Sequence, residues 1–442
     1  MKKAFFLDSK TKSLSIVPYF LKEVYKKKKY YLLPDNFFIR TLIIFVYTKV
    51  LRKFEILISL ISKIRITKFN SSKFRYVIFD NHSLGTIDKI LPKKEFYTIA
   101  TRIEDIKEIF INKFIVFFLI KNFFKNSLKV NYIASLIYLI KPEKIITIID
   151  NSFDFHLIYK IFKNENISFY AIQNAYRNEI YLKEILSKSN YSGNYFCFGN
   201  YELSSINKNF SQKSKCNVRP IGSLRIELAK EYIDKKYEKK LDEVYDICLI
   251  SEASSNIFSS GALNELQYED CQKNNSQLLQ YCIRFCKKHN KRLLFLGRNS
   301  INSLDQNAKE EELLYYKFKN ENLKFDINFF DKSKYDHIKH LIQSRLILGT
   351  ASTLLTESFG LKKKILVCHW NNEKIEFDFN SSYFPGNGIL KLNSTKYIDF
   401  EKRVQEILDL NYDDYLSKVE NPNTIYNLNF DTLKFLRKEM LK

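Results

Sequence analysis

One stretch near the C-terminal end, from Ser344 to His369, constrains the fold of this chain more than any other. The apolar run Leu346 to Leu348 predicts a buried parallel strand, and the small residues that follow allow a sharp turn and close approach of a ligand. Ser352 and Thr353 are N-cap candidates for a helix. A second apolar run, Ile365 to Val367, predicts the next strand. The stretch therefore predicts a strand–helix–strand unit.

The start of the predicted helix suits a phosphate group. A helix N-terminus presents unpaired N–H groups and the positive end of the helix dipole. Glu357 lies about one turn further on, where a carboxylate can accept hydrogen bonds from the two vicinal hydroxyls of a ribose. We therefore interpret this segment as a nucleotide site. The alternative is a purely structural unit in which Ser352 caps the helix and Glu357 faces solvent.

The segment from Thr350 to Gly360 resembles the donor-site segment of GT-B glycosyltransferases. In those enzymes a Ser/Thr pair holds the donor phosphate and a Glu holds the ribose. The resemblance therefore implies donor contacts from the following residues: Gly349, Thr350, Ser352, Thr353 and Glu357. It also implies the GT-B fold, an α/β architecture of two doubly wound Rossmann-like domains that face each other across a crevice.

Four further stretches resemble bacterial surface-carbohydrate biosynthesis proteins of the same type. They are Ile149–Ser152, Ala171–Arg177, Phe196–Gly199 with Gly222–Arg225, and Tyr245–Ser251. We predict an acceptor-side α/β domain over residues 1–225, with a basic amphipathic N-terminal region. A nucleotide-sugar-binding α/β domain follows over residues 226–442. Its tail from residue 398 is predicted to be helical, and the resemblance implies that this tail crosses back to the first domain.

The predicted elements alternate between strand and helix, which is typical of parallel βαβ units. Strands are predicted at 74–79, 97–100, 144–149, 168–172, 194–198, 217–220, 246–250, 292–296, 324–327, 346–348 and 365–367. Helices are predicted at about 103–135, 272–289, 307–320, 334–343 and 352–359. Residues 37–66 show helical spacing with interspersed basic residues. This predicts either a helix at an anionic membrane surface or a helix packed on its own domain.

The charge balance is strongly basic, with 72 Lys and Arg against 49 Asp and Glu and a net charge of +23. No zinc finger or RNP-like aromatic motif accompanies this charge, so nucleic acid is a less favoured partner than an anionic membrane or a phosphorylated substrate. Seven cysteines without a C-x-x-C pair indicate free thiols in a reducing compartment. We see neither a cleavable signal peptide nor an apolar window long enough to span a bilayer. We therefore expect a cytoplasmic protein that associates with the inner membrane peripherally.

Polar residues at predicted strand ends supply the remaining candidates for the crevice. In the second half, Arg298 is placed to pair with a phosphate, and Glu252 follows another strand. Arg298 has the alternative of an ordinary surface residue. In the first half, Asp150 and Asp154 frame the start of a helix, where one of them could deprotonate an acceptor hydroxyl. Their alternative is helix capping.

Two more groups of candidates lie in the first half. Gln173, Asn174 and Arg177 follow a strand, where amides can bind sugar hydroxyls and the guanidinium can bind a carboxylate or phosphate. A polar capping loop is the alternative. Asp80 is a further acceptor-binding candidate, and His82 is a possible base with a structural alternative. No Asp-x-Asp pair stands at a strand end, so we expect no metal and no cofactor beyond the nucleotide-sugar.

The leading hypothesis is a metal-independent GT-B glycosyltransferase of surface polysaccharide, capsule or lipopolysaccharide assembly. The donor would be a nucleoside-diphosphate sugar or a CMP-activated acidic sugar of the Kdo or sialic acid type. The acceptor would be a saccharide or a lipid-linked saccharide. A nucleotide-sugar epimerase and a glycerophosphotransferase are alternatives on the same fold, and a basic peripheral membrane scaffold is the non-enzymatic alternative.

Overall fold

The computed structural model describes most of the chain from residue 74 onward and short pieces before it. The described residues are 3–8, 14–18, 30–32, 64–65, 74–92, 94–102, 105–177, 182–183, 186, 191–209, 216–237, 241–251, 265–297, 325–328, 335–350, 352–368, 370, 384 and 388–442. The predicted helix at 307–320 lies outside them. So does the predicted basic helix at 37–66, apart from the short strand Ile64–Arg65.

The strands in these residues are numbered in chain order. They are β1 Lys3–Asp8, β2 Leu14–Pro18, β3 Tyr30–Leu32, β4 Ile64–Arg65, β5 Tyr76–Phe79, β6 Phe96–Ile99, β7 Ile109–Phe110, β8 Lys144–Thr147, β9 Ser168–Ile172, β10 Asn194–Cys197, β11 Asn217–Pro220, β12 Tyr245–Ile250, β13 Leu293–Leu296, β14 Phe325–Asn328, β15 Ser344–Gly349 and β16 Lys364–Val367.

The helices are numbered in the same way. They are α1 Leu84–Ile87, α2 Lys113–Lys121, α3 Leu128–Ile140, α4 Phe153–Phe162, α5 Asn200–Asn209, α6 Leu224–Lys236, α7 Glu265–Lys288, α8 Asp336–Ile342, α9 Thr353–Gly360, α10 Tyr397–Asp409, α11 Tyr412–Ser417, α12 Pro422–Ile425 and α13 Thr432–Leu441.

Two parallel sheets form the body of the molecule. In the described residues the first has the strand order β11-β10-β9-β8-β5-β6 and the second has the order β14-β13-β12-β15-β16. Every pairing within these two sheets is parallel. Three interior strands, β5, β8 and β13, are buried along their whole length, which suits the apolar character of strands in parallel sheets. The predicted pair of Rossmann-like α/β domains is confirmed.

The region from 103 to 135 differs from the single helix that we predicted. It contains the short strand β7 and then two helices, α2 and the first part of α3. The breaks have local causes, because Asn112 Oδ1 accepts from the Ile115 amide at 2.9 Å and Ser127 Oγ accepts from the Val130 amide at 3.3 Å. Each side chain caps a new helix start, which an apolar periodicity alone does not reveal.

The C-terminal tail returns to the first sheet. The Tyr76 hydroxyl donates to the Met440 carbonyl at 2.9 Å, and Lys144 Nζ donates to the same carbonyl at 2.8 Å. The tail also closes the joint between the halves, where the Tyr426 ring packs on Gly222. That glycine has a φ of 84°, and a Cβ there would lie 2.9 Å from the ring, so only glycine fits.

Within the described residues, no helix has the length and apolar character needed to cross a membrane.

Candidate functional site

The end of β15 and the start of α9 form the second-half side of the crevice. β15 ends at Gly349, and Ser352 caps α9 by accepting from the Leu354 amide at 3.4 Å. The helix therefore begins where the sequence predicts it, at the carboxyl edge of the sheet, which is where open α/β sheets bind ligands. Thr350 and Ser352 are half-buried beside this helix start. The predicted donor residues of this loop thus lie together around one helix N-terminus.

A backbone hydrogen bond joins this helix start to the first half. The Tyr176 amide donates to Thr353 Oγ1 at 3.2 Å. Tyr176 belongs to the polar loop that follows β9, the loop that carries the predicted acceptor residues. The predicted donor segment and the predicted acceptor loop are therefore in direct contact across the two sheets.

Glu357 is placed differently from the predicted ribose contact. It is fully buried, and its Oε1 accepts from Ser223 Oγ at 2.8 Å and from Arg225 Nε at 3.1 Å. Arg225 Nη2 also donates to Oε2. Glu357 lies one helical turn after Thr353, and its side chain contacts the segment that follows β11, the last strand of the first sheet. The carboxylate is therefore buried against the first half, whereas the predicted ribose contact would face the crevice.

Asp150 and Arg177 form a buried ion pair at the carboxyl edge of the first sheet. Arg177 Nε donates to Asp150 Oδ2 at 2.8 Å, and Nη2 donates to Oδ1 at 2.5 Å. Both residues are less than a tenth exposed. Arg177 Nη2 also donates to Asn174 Oδ1 at 3.0 Å. Three of the predicted residues are thus brought into one network, in which the Asp150 side chain is buried.

Two residues that the sequence did not single out complete this network. The Tyr195 hydroxyl donates to Asp150 Oδ2 at 2.9 Å. His156 Nε2 lies 2.9 Å from the Asp150 carbonyl oxygen. Burial lowers the pKa of His156 and raises the pKa of Tyr195 well above its usual value. Both side chains are therefore neutral hydrogen-bonding partners around Asp150 at neutral pH.

Gln173 has a structural position rather than an exposed one. Its Nε2 donates to Glu202 Oε1 at 2.6 Å and to the Ala175 carbonyl at 2.9 Å, and its Oε1 accepts from the Phe198 amide at 2.9 Å. Glu202 is fully buried, and this burial raises its pKa to about 8. The amide thus holds the acceptor loop against a buried carboxyl group.

The other first-half candidates lie apart from this network. Asp80 is buried and accepts from the Thr101 hydroxyl and, at 2.9 Å, from the His82 amide. The His82 ring is half-exposed and lies 3.7 Å from the Asp105 carboxylate. Asp154 turns away to Lys129 Nζ, at 2.5 Å. The predicted Asp150/Asp154 pair therefore points in two directions.

Arg298 and Glu252 lie outside the described residues. Among the residues that are described, no group of three or more His, Cys, Asp or Glu side chains is arranged to hold a metal ion.

No protein-family model matches the sequence. No curated protein matches it by sequence. Solved structures do match the fold. A UDP-N-acetylglucosamine 2-epimerase is similar with a TM-score of 0.51 at 14% identity, over 84% of this chain and 96% of that one. The Neisseria meningitidis UDP-GlcNAc 2-epimerase, bound to UDP-GlcNAc, has a TM-score of 0.50 at 10% identity, over 83% and 98%.

The wall teichoic acid polymerase TagF is also similar, with a TM-score of 0.43 at 12% identity, over 91% of this chain and 98% of that one. The similarity to the two epimerases establishes the fold of this chain, which is that of GT-B proteins.

Proposed function

We propose that this protein is a metal-independent GT-B glycosyltransferase that moves a sugar from a nucleotide-activated donor to a saccharide or lipid-linked acceptor of the bacterial cell surface. One observation carries the proposal. The Tyr176 amide bonds to Thr353 at the N-terminus of α9, so the charged network of the first sheet and a phosphate-type helix start share one crevice. Transfer between two bound substrates needs this arrangement.

The donor would bind on the second-half side. Its phosphate would lie at the start of α9, against the loop of Gly349, Thr350, Ser352 and Thr353, because that helix start offers N–H groups and hydroxyls. Arg298 would pair with the same phosphate. The donor is a nucleoside-diphosphate sugar or a CMP-activated acidic sugar, and the nucleotide screen described below distinguishes them.

The acceptor would bind over the Asp150–Arg177 network, with Asp150 as the base. Oδ2 accepts two hydrogen bonds, from Arg177 Nε and Tyr195, whereas Oδ1 accepts one from Arg177 Nη2. A carboxylate oxygen has two lone pairs, so Oδ1 keeps one for an acceptor hydroxyl. Asn174 and Arg177 would orient that acceptor, and Gln173 would support their loop from below.

A nucleotide-sugar epimerase is the second candidate, because the similar structures cited above are named as UDP-GlcNAc 2-epimerases. Such an enzyme would convert its donor without any acceptor. NMR of each candidate nucleotide-sugar with the protein alone distinguishes the two, since an epimerase yields a new sugar diastereomer and a transferase does not.

The proposal is tested first by calorimetric titration with CMP, UDP, GDP and CDP. We expect one of them to bind. Ser352→Ala combined with Thr353→Val should weaken its affinity by about tenfold, the effect of losing one or two polar contacts. Ser204→Ala, an exposed serine of α5, is the matched control. If no nucleotide binds the wild-type protein, the proposal is wrong.

A further inference from the structure

The first half carries an unusually apolar exposed surface on α2, on the turn after it and at the start of α3. We call this the aromatic surface, and its exposed side chains are Phe114, Phe117, Ile120, Phe123, Phe124 and Leu128. Phe117 is 64% exposed and Phe124 is 97% exposed. Single exposed apolar residues are ordinary, but a contiguous patch indicates an interaction surface.

Lysines surround the aromatic surface, and acidic residues are absent from the sequence around it. Lys113, Lys121, Lys125 and Lys129 are all exposed. Between Glu108 and Glu143 the sequence contains no Asp or Glu. The surface thus combines protruding phenyl rings with a rim in which exposed lysines outnumber the acidic residues, although Lys129 pairs with Asp154. This combination matches the acyl chains and anionic headgroups at a bilayer surface.

A groove opens between the aromatic rings and the lysines. It has a volume of about 470 Å³. Its apolar lining comes from Phe114, Phe117, Phe118, Tyr138 and Ile161, and its polar lining from Lys121, Lys125, Asn122, Asn126 and Asn131. An apolar groove beside two cations suits part of an acyl chain with its anionic headgroup. The excess of exposed lysines around the exposed rings favours a bilayer with anionic headgroups as the occupant over a protein partner.

The aromatic surface lies beside the crevice. Lys129, in the first turn of α3, bonds to Asp154 in the first turn of α4, and α4 begins directly after the Asp150 loop. Phe153, in the same turn, is 66% exposed. Any surface that covers the aromatic patch would therefore lie next to the predicted acceptor side.

We propose that the aromatic surface docks the protein onto an anionic bilayer. α2 has nine residues and is about 13 Å long, less than half the thickness of the hydrocarbon layer, so it would lie in the interface with its phenyl rings inserted. The lysines of the rim would contact anionic headgroups. Delivery of a lipid-linked acceptor to the adjacent crevice rests on the proposed function, whereas the docking itself does not.

The test is co-sedimentation of the full chain with phosphatidylcholine vesicles, with and without phosphatidylglycerol. Phe117→Ser combined with Phe124→Ser should weaken partitioning by at least about tenfold, because two exposed phenyl rings no longer insert. The matched control is Ile398→Ser, which removes a 65% exposed apolar side chain from α10 of the second half. It should leave partitioning unchanged.

A second pair of variants tests the basic rim. Lys121→Gln combined with Lys125→Gln should weaken binding to the anionic vesicles by about 25-fold, at roughly fivefold for each lysine, and added salt should reduce the difference. Lys235→Gln combined with Lys418→Gln is the control, since both lysines are exposed on other faces. Loss of binding in the rim variant, with normal binding in this lysine control, supports the proposal.

Two results would overturn it. One is unchanged vesicle binding by the phenylalanine variant, which would place the membrane contact elsewhere, such as in residues 37–66. The other concerns the oligomeric state. If the wild-type chain is a dimer in analytical ultracentrifugation, and the phenylalanine variant is a monomer with unchanged vesicle binding, the aromatic surface is a contact between two copies. Nucleotide titration of the same variants separates this proposal from the proposed function, because docking and donor binding can fail independently.

Discussion

The two carboxyl edges that meet at the crevice are built from different chemistry. On the first sheet, Asp150 and Arg177 neutralise each other in a buried pair. On the second sheet, Gly349 and the hydroxyls of Ser352 and Thr353 surround a helix start that carries no side-chain charge. One edge thus holds fixed opposite charges and the other offers neutral donors. An anion is accommodated more readily at the second edge, and a group that must exchange a proton is better placed at the first.

The buried carboxylates of the two edges also differ in what they connect. Asp150 bonds to Arg177 and Tyr195, which belong to its own half. Glu357 bonds to Ser223 and Arg225, which lie on the segment that leaves the first sheet. The first carboxylate therefore organises contacts within one half, whereas the second bonds to the segment that connects the two halves. The predictions below test this distinction.

The largest effect is expected from Asp150→Asn. The substitution keeps the size of the side chain and removes the carboxylate that would take the proton from the acceptor hydroxyl. Turnover should fall by a factor of about 10² or more, while donor-nucleotide affinity stays within about twofold, because a base acts in the transition state. Steady-state kinetics and calorimetry measure the two quantities. Near-normal turnover would move the search for the base to Asp80, His82 or Asp154.

The same ion pair should dominate local stability. Removing one partner of a buried pair leaves an uncompensated charge and costs about 3–5 kcal/mol. We therefore expect Arg177→Gln to lower the free energy of unfolding substantially, and the double variant with Asp150→Asn to lose at least about 1 kcal/mol less than the sum of the single losses. Urea unfolding measures all three. Additive losses would show that the two side chains are not coupled.

Glu202 should make stability depend on pH. Its pKa is raised by burial to about 8, above the value near 4.3 of an unfolded glutamate. Its contribution is therefore fully present below about pH 4 and is lost as pH rises through about 8, at up to about 1.4 kcal/mol per pH unit. Glu202→Gln cannot titrate, so its melting temperature should fall less between pH 5 and pH 8. Parallel curves for the two proteins would contradict this.

Glu357 distinguishes a tie between the halves from a ribose contact. Glu357→Gln should lower the free energy of unfolding by about 1–3 kcal/mol, less than the loss expected at Asp150, because Arg225 is partly exposed and can be solvated. If the carboxylate only ties the halves, Arg225→Met should weaken nucleotide binding as much as Glu357→Gln does. A loss of nucleotide affinity in Glu357→Gln alone would assign the carboxylate to the ribose.

Much of the fold follows from local sequence. The strands of both sheets are apolar runs, and Ser352 caps α9 as its place in the sequence predicts. The carboxyl edge of each sheet then predicts which loops form the crevice. The helix breaks at Asn112 and Ser127 were missed because the apolar residues continue on both sides of each cap.

The pairings within the site were less accessible. Arg177 lies 27 residues after Asp150, and Arg225 lies 132 residues before Glu357. Such contacts depend on how the elements pack, which periodicity does not determine. Glu202 had no local signal beyond its place after a strand. Its role depends on tertiary contacts, because Gln173 and the Gly199 amide both donate hydrogen bonds to its carboxyl group.

The smallest effect is expected from Asp154→Asn, which is also the matched control for Asp150→Asn. Asp154 is a quarter exposed and pairs with Lys129, which is almost half-exposed. Ion pairs of this kind contribute about 0–1 kcal/mol, because water solvates both charges when the pair is broken. Turnover should therefore stay within about threefold of wild type, and the free energy of unfolding within about 0.5 kcal/mol. A loss of turnover as large as that of Asp150→Asn would show that Asp154 acts on the substrate. Both first-half carboxylates would then take part in the reaction, although they bond to different partners in this structure.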